Sequence, residues 1–191
     1  MKSAFQIRTY FRSNSALILY AAIMAVAQSS CTSDPQKRPS PLRSDSASVH
    51  GIDAYIEFSS PGVKDRKIFG EGSDFLVPYG EIWRTGANNA TYVSFGSDII
   101  VDTFLLDSGS YALFTIPNES EWTVIFNEEW DQWGSYNYKD SLDAFRLKVV
   151  PRYADQSQER MLFYFAEDSL KFRWDKVRWA IPLNLPPEAL H

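Results

Sequence analysis

From Val49 onward the chain alternates apolar and polar residues with a period of two, the pattern of half-buried strands rather than helices. "IDAYIEF" places Ile52, Ala54, Ile56 and Phe58 on one face and Asp53, Tyr55 and Glu57 on the other. "TYVSF" puts Thr91, Val93 and Phe95 together. "IIVDTFLL" and "YALFTI" flank Asp107-Ser108-Gly109-Ser110, a turn signal, and predict a hairpin. "EWTVIF" follows Pro117-Asn118-Glu119-Ser120, "FRLKVV" stops at Pro151, and "MLFYFA", "LKFRW" and "VRWAIPL" complete the series. About nine short strands with turns between them, and no amphipathic helix, predict an all-β domain over 49–191. Its architecture is a single antiparallel β-sandwich or barrel.

The N-terminal residues follow a different pattern. Lys2, Arg8 and Arg12 give a basic start, and Ala16 to Ala27 is uncharged and apolar, about 12 residues long. That is short for a bilayer span and suits a signal-peptide core, so residues 1–30 read as a signal peptide of lipoprotein type. Two exits compete. Ala25-Val26-Ala27 fits cleavage before Gln28, whereas Ser29-Ser30-Cys31 resembles a lipobox, with Gln28 departing from the usual aliphatic residue. Cys31 is the only cysteine, and an exported chain gains little from a lone thiol, which favours lipidation. Residues 31–48, including "TSDPQKRPSPLRSDSAS", are polar and Ser/Pro-rich and read as a flexible tether. The expected location is the cell envelope, as an outer-membrane lipoprotein or a periplasmic protein, with membrane contact only through a lipidated Cys31.

Charge narrows the partners. Removing residues 1–30 takes away three basic groups and no acidic one, leaving 16 Lys+Arg against 24 Asp+Glu, a net −8. Nucleic acid is therefore not an expected partner. With two histidines, His50 and His191, no His/Cys metal cluster forms, and no G-x-S-x-G elbow, phosphate loop or dinucleotide fingerprint occurs. No cofactor is expected. A Ser–His–Asp triad would have to use His50, at the start of a strand beside the tether.

Two constellations carry candidate chemistry. "PGVKDRKIFG" and "LVPYGEIWRTGANNA" concentrate Lys64, Arg66, Lys67, Tyr79, Arg84, Thr85 and Asn88 in an acidic chain. A guanidinium clamps a carboxylate or phosphate, and Asn offers both donor and acceptor. The same residues also suit a structural turn in which Gly86 bends the chain and Asn88 caps backbone. The second constellation, "NEEWDQWGSYNYKD", holds Trp130, Trp133, Tyr136 and Tyr138 among four acidic residues. It suits stacking on sugar rings, or a loop that folds back and plugs one end of the sandwich. Glu129 and Asp131 offer a carboxylate pair of unspecified separation.

In this order, "SSPGVKDRKIFG", "LVPYGEIWRTGANNAT", "SGSYALFTIP", "EWTVIFN" and "WGSYNY" resemble the successive signatures of a bacterial envelope family catalogued as domain of unknown function 2911. The resemblance runs from about Val49 to Leu183. It implies a Bacteroidetes-type exported protein and no assigned activity. Ser60 stands where the family usually has arginine, Asp65 where it usually has glycine, and Glu71–Phe75 resembles a small insertion. Arg84 to Asn88 match intact. The functional expectation is a binding module for a small polar or glycan-type ligand. A structural or protein-interaction module of the envelope is the alternative, with a carboxylate-dependent hydrolase third.

Overall fold

A computed structural model describes residues 34–187. Residues 1–30, read above as a signal peptide, and Cys31 lie outside the described residues. Strand structure begins earlier than the alternation suggests. β1 (Leu42–Val49) pairs antiparallel with β2 (Ile52–Ser59) along its whole length, from Leu42↔Ser59 to Val49↔Ile52. The connecting His50-Gly51 has φ of 52° and 86°, the two-residue turn whose twist suits a hairpin. The tether expected over 31–48 is thus corrected, because Leu42 to Ser48 are strand. β1 is an edge strand that buries little, so it carries polar residues and holds on through its backbone ladder.

The other strands are β3 (Phe69–Gly70), β4 (Val77–Pro78), β5 (Thr91–Phe95), β6 (Ile99–Val101), β7 (Phe104–Leu106), β8 (Gly109–Ile116), β9 (Trp122–Asn127), β10 (Asp143–Val149), β11 (Arg152–Phe165) and β12 (Ser169–Asn184). Six of them form an antiparallel sheet in the order β1-β2-β5-β8-β9-β10, and four form a second in the order β11-β12-β6-β7. β3 and β4 add a two-residue parallel ladder. Both large sheets are open, and one continuous apolar core joins residues from each, so the fold is an all-β sandwich and not a closed barrel.

Ile52, Ala54, Ile56 and Phe58 are all buried, as their alternation predicts. The predicted hairpin at Asp107–Ser110 does not form. "IIVDTFLL" is itself a hairpin, β6 with β7, turning at Asp102-Thr103, where Asp102 has φ 57°. The chain then crosses to the other sheet, where β8 lies between β5 and β9. "LKFRW" and "VRWAIPL" are one strand, β12, interrupted by a bulge at Asp175 (φ 47°). Leu170, Phe172 and Trp174 face the core before the bulge, and Val177, Trp179, Ile181 and Leu183 after it. Parity switches there, and a period-two reading breaks the strand in two.

The core is aromatic. The ring of Phe69 lies 4.8 Å from Trp122, 5.5 Å from Trp174 and 5.8 Å from Trp83, all edge-on, while Trp83 stacks on Trp174 at 5.6 Å. Ala112, Phe114 and Ile125 point away from this core and are covered by Ala90, Ile82 and Tyr138. Of the aromatic loop, Tyr138 thus covers the outer face of β8 and β9, and Trp130 packs on Tyr92 of β5.

Comparing two truncations tests the role of β1. Removing residues 1–33 is expected to leave the melting midpoint unchanged. Removing residues 1–49 strips the ladder from β2 and is expected to lower it by about 10 °C or more. Circular dichroism melts of the two proteins decide it, and equal midpoints would show that β1 is dispensable.

Candidate functional site

The Arg84 loop is built as an excursion from a strand track. Trp83 bridges Thr115 of β8, and Thr91 of β5 pairs with Leu113, two residues along the same strand. Residues 84–90 therefore leave the sheet after the position opposite Thr115 and return at the position opposite Leu113. Hydrogen bonds close the excursion. Thr91 N–H donates to the Arg84 carbonyl at 3.2 Å, Thr91 Oγ1 to the Thr85 carbonyl at 2.7 Å, and the Trp83 indole to the Gly86 carbonyl at 3.0 Å. Thr85 is fully buried with φ 51°, an uncommon conformation for a β-branched residue. Its hydroxyl donates to the Trp83 carbonyl and lies 3.1 Å from Thr115 Oγ1. Asn88, at φ 58°, donates to the Ser40 carbonyl and Ser59 Oγ. Thr85 and Asn88 are engaged in holding the loop.

Arg84 differs. Its half-buried side chain lines a cleft of about 260 Å³ together with Arg66, Ser40, Leu76, Ala87 and Trp174. Its Nε is buried without a hydrogen-bond partner, and no ion pair holds it among the described residues. Burial pushes its pKa below the usual arginine value, while nearby Tyr136 acts the other way. Trp174, also in the lining, is fully buried with its indole Nε1 unpartnered. Arg66 is fixed by the carbonyls of Gly62 and Val63. The cleft presents donors and positive charge, and no carboxylate lines it. That combination is chemically suited to an anion.

The family described as protein of unknown function, DUF2911, matches residues 40–183. The chain belongs to this family. No curated protein and no solved structure matches the chain. The DUF2911 match begins at Ser40, the residue that receives Asn88, and so takes in β1 as well as the later motifs. Asp65, where the DUF2911 resemblance expects glycine, has φ 56°, a conformation that glycine adopts without cost. Ser60, where arginine is expected, is fully buried and donates to the Met161 carbonyl at 2.7 Å.

The remaining predicted residues scatter. Lys64 is exposed at φ 47° in the turn before Arg66. Tyr79 lies beside Tyr153 and does not line the Arg84 cleft, with its phenol pushed up to about 12 by burial and then by Tyr153. Trp130 tilts against Tyr92 at 5.0 Å and lines a second cleft of about 290 Å³ with Arg38, Glu57 and Asp131. Burial, followed by Glu57, raises the Tyr92 phenol to about 12. Trp133 is exposed, bridges Asn89, and lines neither cleft. Tyr138 donates to Asp143 at 2.7 Å and packs edge-on against Phe114, which makes it part of the cover on β8 and β9. Glu129 faces Lys139 at 3.6 Å, whereas Asp131 is in the Trp130 cleft, so this pair does not converge as a hydrolytic site. His50 sits 3.1 Å from the Leu183 carbonyl, the contact of a structural turn. Sequence reasoning missed Trp174, Tyr92 and Glu57, which reach these clefts from strands far along the chain.

Gly86 tests the loop. A Cβ there would lie 3.2 Å from the Ser59 carbonyl oxygen and 3.1 Å from Thr91 Oγ1. Gly86→Ala is expected to cost about 1–3 kcal/mol by overpacking. Chemical denaturation should show a lower midpoint at constant slope. An unchanged midpoint would mean that the loop is loosely seated.

Proposed function

We propose that this protein is an exported, lipid-anchored binding module that holds the anionic group of a small polar or glycan-type ligand at Arg84. The observation that supports this is a half-buried guanidinium, unpaired among the described residues, in a cleft lined with donors and without carboxylates. An unpaired charge kept partly out of water costs stability, and a bound carboxylate or phosphate offsets that cost. Trp83 and Trp174 supply an apolar wall for the body of a small ligand. The engagement of Thr85 and Asn88 favours a rigid rim around the cleft, which limits the ordering cost on binding.

A thermal-shift screen of the purified protein against acidic glycans, peptidoglycan fragments and carboxylate metabolites tests the reading. A ligand at 100 times its Kd adds about 2.7 kcal/mol, a rise of several degrees. Arg84→Met is expected to melt at or above wild type without ligand and to lose the response. A flat screen, together with an Arg84→Met midpoint far below wild type, would make the arginine a brace and overturn the reading.

The export part of the proposal rests on the segment up to Cys31. Expressed in a bacterium with a lipoprotein pathway, the wild type is expected to incorporate radiolabelled palmitate and to fractionate with membranes. Cys31→Ala is expected to lose both properties. Label in neither protein would favour cleavage after Ala27.

A further inference from the structure

The mouth of a second basic groove opens on the outer face of the four-stranded sheet, where β11 and β12 carry Arg152, Tyr164, Lys171, Arg173 and Arg178 around about 500 Å³. The strand pairing sets Arg152 directly opposite Arg178, and Tyr164 opposite Lys171. Like charges directly opposite across a ladder repel. Among the described residues none of the three arginines forms an ion pair. Lys171 alone is paired, with Glu167.

The groove depends on the β12 bulge. Arg173 and Arg178 are five residues apart and would face opposite sides of a regular strand. The parity switch at Asp175 brings both to the outer face. Each is then immobilised. Arg173 lies 4.9 Å over the Tyr164 ring, and its Nε is buried without a partner. Arg178 donates to the carbonyls of Asp175, Val177 and Gln156, which leaves the rest of its five N–H donors uncommitted. Burial first and Arg173 second lower the Arg178 pKa, whereas Asp175 acts in the opposite direction. Ordinary surface cations are mobile and solvated. Here two guanidinium groups are fixed close enough to repel, with a third across the ladder, in a protein whose residues from Cys31 on carry a net −8.

We propose that this groove binds the phosphoryl group of a small, soluble ligand between Arg152, Arg173 and Arg178, with Tyr164 in its lining. Three guanidinium groups on one site match the several peripheral oxygens of a phosphoryl group, whereas a single carboxylate has only two oxygens to offer. The site is on a different sheet face from the Arg84 cleft and shares no lining residue with it.

Calorimetric titration of the purified protein with inorganic pyrophosphate tests it, at two salt concentrations and with acetate as the carboxylate control. Saturable binding is expected, weakening as salt rises, with no displacement by excess acetate. Arg152→Gln and Arg173→Gln are each expected to weaken binding at least tenfold. Arg152→Gln should also melt no lower than wild type without pyrophosphate, because it relieves the cross-strand repulsion. This separates lost binding from lost folding. Absence of saturable binding overturns the proposal, as does equal binding by both glutamine variants. Loss in Arg84→Met alone also overturns it, since pyrophosphate would then occupy the first cleft.

Discussion

Two main-chain hydrogen bonds, Trp83 N–H to the Thr115 carbonyl at 2.8 Å and Thr115 N–H to the Trp83 carbonyl at 2.9 Å, fix where the molecule's least regular segment meets its most regular sheet. They give Trp83 the ladder position that a continuous β5 would fill. Everything from Arg84 to Ala90 must then be accommodated outside the sheet. The excursion is short, so it closes on itself through Thr85, Gly86 and Thr91. The left-handed backbone at Thr85 is a strain that these bonds hold in place. The bond from Thr91 N–H to the Arg84 carbonyl fixes the main chain from which the half-buried Arg84 side chain starts. The exposed chemistry at this edge follows from the closure.

The same bridge also organises the core. Once Trp83 is pinned, its indole stacks on Trp174 from the opposite sheet, and Phe69 fits edge-on against both and against Trp122. Large rings from the two sheets and from the β3 segment thus meet at one place, where each fills a volume that aliphatic side chains would need several residues to fill. The Trp122, Trp174 and Trp179 indoles are buried with unpartnered N–H groups. Packing area has been favoured there over polar satisfaction. For Trp174 that choice coincides with the floor of the Arg84 cleft.

Much of this was legible in the chain, for identifiable reasons. Ile52, Ala54, Ile56 and Phe58 declare their face because one side of β2 meets the core and the other meets solvent. β1 was hidden because an edge strand with half-exposed sides needs no apolar face, so its serines and charges look like tether. The connection at Asp107–Ser108 looks like a hairpin turn because a chain leaving one sheet for another uses the same residue types as a chain reversing within one. At the candidate site, Arg84 could be singled out because arginine, glycine and two asparagines exceed what a turn needs. Its neighbours in the cleft could not. Trp174 arrives through the stacking of two sheets, which no local spacing encodes. Arg152 and Arg178 look unrelated in the chain because their adjacency is a matter of register between two long, bulged strands.

The Asp175 bulge has a consequence for how this chain can vary over time. Every position of β12 beyond it owes its inward or outward assignment to one additional residue. Substitutions downstream are judged one at a time, each by its own burial. Loss of the Arg178 codon would instead exchange the two faces of the remaining strand, turning Trp179, Ile181 and Leu183 to water and Ala180 and Pro182 to the interior. This stretch should therefore tolerate drift in residue identity while keeping a constant length.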